Sequence, residues 1–283
     1  MHMVGSASGL WRFPVKSMQG EEVRTAHVTE RGFVGDRVYA LIDTETGKVV
    51  SAKNPRKWPG LLEFSARFVH SPAADAIAPP VRVTFPDGTS LSNEERGFYA
   101  QTSAIFRRDV VIRSTPPESP VLEEYWPDID GLAHREMVTD ETMSLGTPAG
   151  TFFDFAPIHV LTTSTLAALE RAYPQGRFEP RRFRPNILVN TEQEEGLSEN
   201  DWVGRHISVG DEVVLEVLIP CPRCVMTTLQ QGDLPHDSGI LRTAARENNV
   251  MIAPLNQKMP SVGVYAKVLH GGEVQQGDPV RLM

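Results

Sequence analysis

Proline and glycine punctuate this chain so densely that few of the runs between them can support a long helix. The sequence holds 22 of each in 283 residues; proline removes a backbone donor and glycine adds an entropic cost inside a helix. What lies between the breaks is mostly period-two alternation. The clearest case is Val213, Leu215, Val217 and Ile219, alternating with Val214, Glu216 and Leu218, the pattern of a half-buried strand. Thr44-Glu45-Thr46-Gly47 and Pro86-Asp87-Gly88-Thr89 stand between β-prone runs as hairpin turns. Helical spacing surfaces only briefly. It appears in Phe98, Thr102, Ile105 and Phe106 behind a capping box of Ser92 and Glu95, in Leu166, Leu169 and Tyr173 behind the hydroxyls of Thr162 to Thr165, and around Ile240, Leu241, Ala244 and Ala245. The expected fold is mostly β with a few short helices, in two β-rich domains. The run Ser114-Thr115-Pro116-Pro117-Glu118-Ser119-Pro120 marks the boundary, giving domains of residues 1–115 and 116–283.

A formal net charge of -8 argues against a nucleic-acid partner. No 18-residue apolar run is present, and Met1 to Gly9 lacks a basic-then-apolar leader. The expectation is a cytoplasmic protein with no membrane contact, in which the only two cysteines, Cys221 and Cys224, stay reduced.

Those cysteines share one stretch, Ile219-Pro220-Cys221-Pro222-Arg223-Cys224-Val225-Met226-Thr227-Thr228. A strand leads into it and β-prone residues follow, so it reads as a tight loop between two strands. A structural thiol pair or disulfide is one use of such a motif. Zinc needs four ligands: His236 lies at a finger-like distance, but Ile240, Leu241 and Arg242 stand where a second histidine is required. Zinc and iron-sulfur centres both fail for want of ligands. A thioredoxin-like redox pair wants its cysteines at the start of a helix, whereas extended residues are expected here. A fourth reading, beside the structural pair and the redox pair that stay open, is one thiolate bound to a soft metal carried by an organic cofactor, with Arg223 as a fixed cation beside it.

Other stretches carry two readings each. Lys16 and Ser17, in Leu10-Trp11-Arg12-Phe13-Pro14-Val15-Lys16-Ser17-Met18-Gln19-Gly20, are solvated turn residues or a cation and hydroxyl gripping an anion. Gly35-Asp36-Arg37 is a surface ion pair or an anion contact. Lys53, Arg56 and Lys57 border a site entrance or form a solvated face. Residues 121–150 show no clear period, and Glu123, Glu124, Asp128, Asp130, Asp140 and Glu141 make them an acidic lid, a docking face for a basic electron-transfer partner, or a plain loop. His159 reads as a satisfied core histidine. In Arg181-Arg182-Phe183-Arg184-Pro185-Asn186, three arginines crowd before a buried strand, which is costly without an anion to face.

Taken in order, the proline-valine-lysine-serine turn, Gly35-Asp36-Arg37, Phe183-Arg184-Pro185-Asn186, the cysteine motif, and Gly263 and Tyr265 with Gly277-Asp278 resemble the MOSC superfamily. They most resemble the branch containing the mitochondrial amidoxime-reducing component and its bacterial relatives. Met18 departs from that pattern, where cysteine is common. The resemblance implies an N-terminal β-domain and a C-terminal MOSC β-barrel with a molybdenum-molybdopterin cofactor between them. It implies that Cys224 is the catalytic metal ligand while Cys221 supports the loop. Lys16, Ser17, Arg37, Arg184, Asn186, Pro222, Arg223 and Tyr265 would contact the cofactor. The implied activity is molybdenum-dependent reduction of small N-hydroxylated substrates such as amidoximes and hydroxylamines. No cysteine-rich ferredoxin domain precedes Met283, so electrons are expected from a separate ferredoxin-, flavin- or cytochrome b5-type protein. A non-catalytic carrier of cofactor or sulfur, and a CxxC thiol-disulfide oxidoreductase, remain as alternatives.

Overall fold

Seven strands close into a barrel in the computed structural model, which describes residues 2–74, 76–132, 134–143, 147–148, 150–191 and 195–283. They are β1 (His2–Arg12), β2 (Ile158–Thr162), β3 (Ile187–Asn190), β4 (His206–Val209), β5 (Val213–Pro222), β6 (Gln257–His270) and β7 (Pro279–Leu282). Around the ring the order is β2, β3, β1, β7, β4, β5, β6, and β6 closes on β2. Only β2 and β3 pair in parallel, through Val160 and Ile187. Burial alternates along β5, so that Val213, Leu215, Val217, Ile219 and Cys221 turn inward, as the sequence pattern requires. With Ala7, Leu10, Val160, Ile187, Val264 and Ala266, the first three of these fill the barrel with side chains. Each such side chain buried contributes roughly 1.5–3 kcal/mol relative to exposure.

The chain opens in this barrel and leaves it after Arg12. Residues 15–112 then build a second core in which Phe64 packs on Phe106 at 5.3 Å and on Phe85 at 5.5 Å, with Trp58 edge-on to Phe106. Small antiparallel sheets surround it: Ala40–Asp43 with Val110–Arg113, and Ser65–Phe68 with Val81–Thr84 and Ser90–Ser92. The fold is mostly β, as the period-two pattern predicts, with this second β-rich core beside the closed barrel. Four α-helices occur among the described residues, α1 (Gly97–Phe106), α2 (Thr163–Ala172), α3 (Pro180–Phe183) and α4 (Gly239–Glu247). None is long and apolar enough to cross a membrane.

Several local expectations need correction. On α1, Phe98, Thr102 and Phe106 are buried at a strict four-residue spacing, and Ile105, one residue off that line, is 39% exposed. Ser92 and Glu95 close the turn ahead of α1 instead of capping it: the Ser92 N–H donates to Glu95 Oε1 at 2.9 Å, and the helix begins at Gly97. Val225–Thr228 is a single 3-10 turn, not a strand. The Thr227 hydroxyl donates to Cys224 O at 3.1 Å and the Thr228 hydroxyl to Val225 O at 2.7 Å, local bonds that outcompete an extended backbone. The acidic stretch is no plain loop. Val121–Trp126 and Met137–Thr142 form a hairpin in register from Val121 opposite Thr142 to Trp126 opposite Met137.

Candidate functional site

The crossing from barrel to second core runs through Phe13 to Gly20, which leaves Lys16 and Ser17 on the seam between them. A cavity of about 280 Å³ opens there, close to the small end of ligand pockets, roughly 300–1,000 Å³. Its lining includes Lys16, Ser17, Arg37, Arg184, Pro222, Arg223, Cys224 and Tyr265. Eight of the nine residues singled out from the sequence therefore meet in one place. The ninth, Asn186, sits behind the wall: its Nδ2 donates to Asp36 Oδ2 at 2.9 Å, and its Oδ1 accepts the His159 N–H at 3.1 Å.

Each cation is held by groups the local sequence supplies. Asp36 accepts the Phe13 N–H at 2.7 Å and pairs with Arg37, so the Gly35-Asp36-Arg37 turn fixes Arg37 against the seam. Arg37 and Arg184 both lie over the Phe13 ring, at 4.8 and 4.1 Å, a cation–π arrangement. Arg184 also donates to Met18 O at 2.7 Å. Burial, then the nearby Arg37, lowers its pKa to about 9. Ser17, Arg37 and Arg184 all adopt left-handed backbone, with φ of 63°, 49° and 57°. Such conformations persist in non-glycine residues only where the surroundings over-determine them, and they concentrate at functional sites.

The two cysteines play different parts. Cys221 is fully buried and does not line the cavity; Arg223 Nη1 donates to its Sγ at 2.8 Å. Arg223 Nη2 donates to Phe183 O at 2.7 Å, while its buried Nε has no acceptor among the described residues. Cys224 faces the cavity, half-buried. Burial, then the charge of Glu124, raises its thiol pKa to about 11, so this thiol is no free nucleophile, and a bound metal is what would deprotonate it. Tyr265 stands in register with Ile219 on β5 and His159 on β2, stacked on Phe155 at 5.9 Å.

Sequence reasoning left Asp154 without a role and Lys53 and Glu124 without partners. They join Lys16 in a series of alternating charge, buried at Lys16 and Glu124 and partly exposed at Lys53 and Asp154. Lys16 pairs with Asp154 and donates to Phe152 O at 3.0 Å; Lys53 lies 3.7 Å from Asp154 and 3.0 Å from Glu124. Burial pushes the Asp154 carboxyl up, but Lys16 and Lys53 outweigh it and hold it well below the usual carboxylate range. Asp154 could have been flagged as the one acid inside the apolar run Phe152-Phe153-Asp154-Phe155. Of the basic cluster only Lys53 reaches the cavity. Lys57 pairs with Asp43 and Glu123, and Arg56 stacks on Tyr125 at 3.8 Å. The three crowded arginines divide similarly. Arg181 pairs with Glu179 and Asp233, Arg182 binds backbone carbonyls, and Arg184 alone faces the cavity.

His159 lines the cavity as well as the core, with Nε2 3.1 Å from Val262 O. Burial, then Arg223, lowers its pKa to about 3 from 6.5. An unfolded chain takes up a proton near its ordinary pKa that the folded chain refuses. The resulting stability is complete above about pH 6.5 and is lost as pH falls towards the folded value. Urea unfolding of wild type and His159→Gln at about pH 7 and about pH 4 should show a loss of several kcal/mol in the wild type and a markedly smaller loss in the variant.

Residues 148–281 match the model of the MOSC domain, and residues 4–106 that of the MOSC N-terminal beta barrel domain. The chain belongs to the MOSC-domain proteins that carry this N-terminal domain. Over its whole length it is similar to mitochondrial amidoxime reducing component 2 of Rattus norvegicus, 24% identical over 310 residues, covering 100% of this chain and 85% of that protein. Mitochondrial amidoxime-reducing component 1 of Homo sapiens is likewise 24% identical over 307 residues, covering 100% and 84%. Among solved structures, the YUAD protein from Bacillus subtilis aligns with a TM-score of 0.48 at 12% identity, covering 100% of this chain and 97% of that one.

Proposed function

We propose that this protein is a molybdenum cofactor-dependent reductase of small N-hydroxylated compounds, with the metal bound by Cys224. The observation that carries the reading is the composition of the cavity. Five cationic side chains (Lys16, Arg37, Lys53, Arg184, Arg223) face three carboxylates (Glu124, Glu141, Asp154), around a single accessible thiol. A surplus of buried positive charge and an Arg223 N–H without an acceptor are costly unless an anionic group is bound. A pterin phosphate fits that requirement, and its dithiolene-bound molybdenum is soft enough to take a thiolate.

In this reading the N-terminal domain, residues 1–115, lends its first strand to the barrel and supplies Lys16, Ser17 and Arg37. The MOSC domain, residues 116–283, supplies Arg184, Pro222, Arg223, Cys224 and Tyr265. The phosphate would take its counter-charges from among Lys16, Arg37, Arg184 and Arg223. Ser17 adds a hydroxyl whose oxygen already accepts the Ala52 N–H at 3.1 Å, leaving its proton to donate. Asn186 acts through Asp36, keeping Arg37 in place. Cys221 holds Arg223 in position. When bound, the cofactor supplies a two-electron centre able to take oxygen from an N–OH group. The chain's own contribution is to bind, orient and shield it from water. Electrons come from a separate donor protein in the cytoplasm. A thiol-disulfide exchanger gains nothing from the geometry, because Cys221 is buried away from the cavity.

Incubating molybdenum-loaded protein with an amidoxime and a reduced viologen tests the activity. The expected result is amidine formed in step with viologen oxidised, and none with Cys224→Ser. Loaded protein that oxidises no viologen with any N-hydroxylated compound would make it a cofactor carrier.

A further inference from the structure

Reduction of an N–OH group consumes protons as well as electrons. The N–O bond breaks, an N–H bond forms and the oxygen leaves as water, so two electrons and two protons enter the cavity in each turnover. Most titratable groups on its wall are poorly suited to hand a proton over near neutral pH and take one back. Guanidinium groups keep theirs. Burial holds the Tyr265 phenol well above its ordinary value. Burial, then Arg223, lowers the pKa of His159 to about 3. Asp154 stays ionised between Lys16 and Lys53, and Glu124, buried, holds the Lys53 ammonium on Oε2 at 3.0 Å.

His134 differs from all of these in position. It stands in the turn between Val121–Trp126 and Met137–Thr142, outside the matched segments 4–106 and 148–281, exposed to solvent and yet part of the cavity lining. Its ring meets the Trp126 ring edge-on at 5.1 Å. Trp126 is itself fixed, because Nε1 donates to Thr139 Oγ1 at 2.7 Å and the Thr139 hydroxyl donates to Glu141 Oε1 at 2.6 Å. Charged neighbours on the turn are engaged with one another: Arg135 pairs with Asp128 and Asp130, and Glu136 with Arg56 and the Tyr125 hydroxyl. Glu141 lines the cavity from the same hairpin. Ile252 and Met259 pack on Trp126 from Asn249–Ile252 and β6, whose nearby cation is the exposed Lys258. Histidine is the side chain whose ordinary titration falls in the physiological range, and an imidazole shared between solvent and cavity can carry protons from one to the other.

We propose that His134 is the proton donor of the cavity. Its imidazolium gives one proton to the oxygen that leaves as water, regains a proton from solvent, and passes the second, to nitrogen, by the same route. The inference rests on the reductase reading, which supplies the demand for protons; the choice of His134 is tested apart from turnover itself.

The test compares molybdenum-loaded wild type, His134→Gln and Glu124→Gln with an amidoxime and reduced viologen across pH, with rates expressed per molybdenum atom. A donor acts only when protonated, so wild-type kcat/KM should fall as pH rises, with a midpoint that coincides with the His134 ring titration followed by NMR in the same protein. His134→Gln should lose about 100-fold in kcat, the low end of what a general acid supplies. It should also lose that limb of the pH profile, keep the molybdenum content of the wild type, and regain part of its rate with free imidazole. Glu124→Gln should keep the limb. His236→Gln, at an exposed histidine that does not line the cavity, should change nothing. An unchanged rate in His134→Gln at every pH, a limb that survives in it, or a limb lost in Glu124→Gln instead would overturn the proposal and leave the reductase reading standing. Loaded wild type that reduces no N-hydroxylated compound would remove that reading and this inference with it.

Discussion

Arg182→Met should cost about 4 kcal/mol or more of stability. Arg182 is 1% exposed and spends its guanidinium on backbone oxygens from three places: Arg177 O at 2.9 Å, Thr227 and Leu229 O at 3.2 and 3.3 Å, and Pro235 O at 2.8 Å. Hydrogen bonds from a charged donor are worth about 1.5–3 kcal/mol each, and carbonyls left buried without a donor add to the loss. Methionine fills similar space but donates to none of them. Lysine, with one compact ammonium, replaces part of the set, so Arg182→Lys should fall between. The effect reaches the site because Thr227 and Leu229 lie three and five residues after Cys224. Urea unfolding with an unchanged denaturant slope checks the figure; a loss under about 1 kcal/mol would show that Arg182 is dispensable to the loop.

Gly263→Val should be at least as damaging. Gly263 has φ of +78°, and a Cβ there would lie 2.3 Å from His159 Nε2 and 2.6 Å from Val160 O. The second collision is with backbone of the neighbouring barrel strand, which cannot swing aside as a side-chain tip can. A β-branched residue adds strain at positive φ. Together these predict a loss of roughly 4–5 kcal/mol or failure to accumulate folded protein. Gly277→Ala supplies the comparison. Its φ is +96° with nothing within 4 Å of the added carbon, so only the backbone term of about 1–2 kcal/mol applies. Similar melting temperatures for the two variants would refute the close-approach argument.

What the sequence made legible was local. The inward face of β5, the cysteine loop and the turns bearing Lys16, Arg37 and Arg184 all announce themselves within ten residues, through period or through turn chemistry. Long-range pairing left no such trace. Nothing in His2 to Arg12 says that it will lie between Ile187–Asn190 and Pro279–Leu282, because any apolar strand of that length reads alike. The hairpin 121–142 stayed hidden for a different reason. Its alternation is carried partly by acids, and Glu123 and Glu124 become tolerable only beside Lys48, Lys53 and Lys57, some 66 to 75 residues away. Crowded arginines misled in the same way: Arg182 faces carbonyls, acceptors that every residue carries and no residue type reveals.

Molybdenum content per chain, measured by elemental analysis on protein from a host that makes the cofactor, tests the central claim most directly. Wild type and Cys221→Ser, in which a hydroxyl can still accept from Arg223, should each hold about one metal atom per chain, and Cys224→Ser almost none. Equal metal in the two serine variants, or none in the wild type, would contradict the assignment of Cys224 as the ligand.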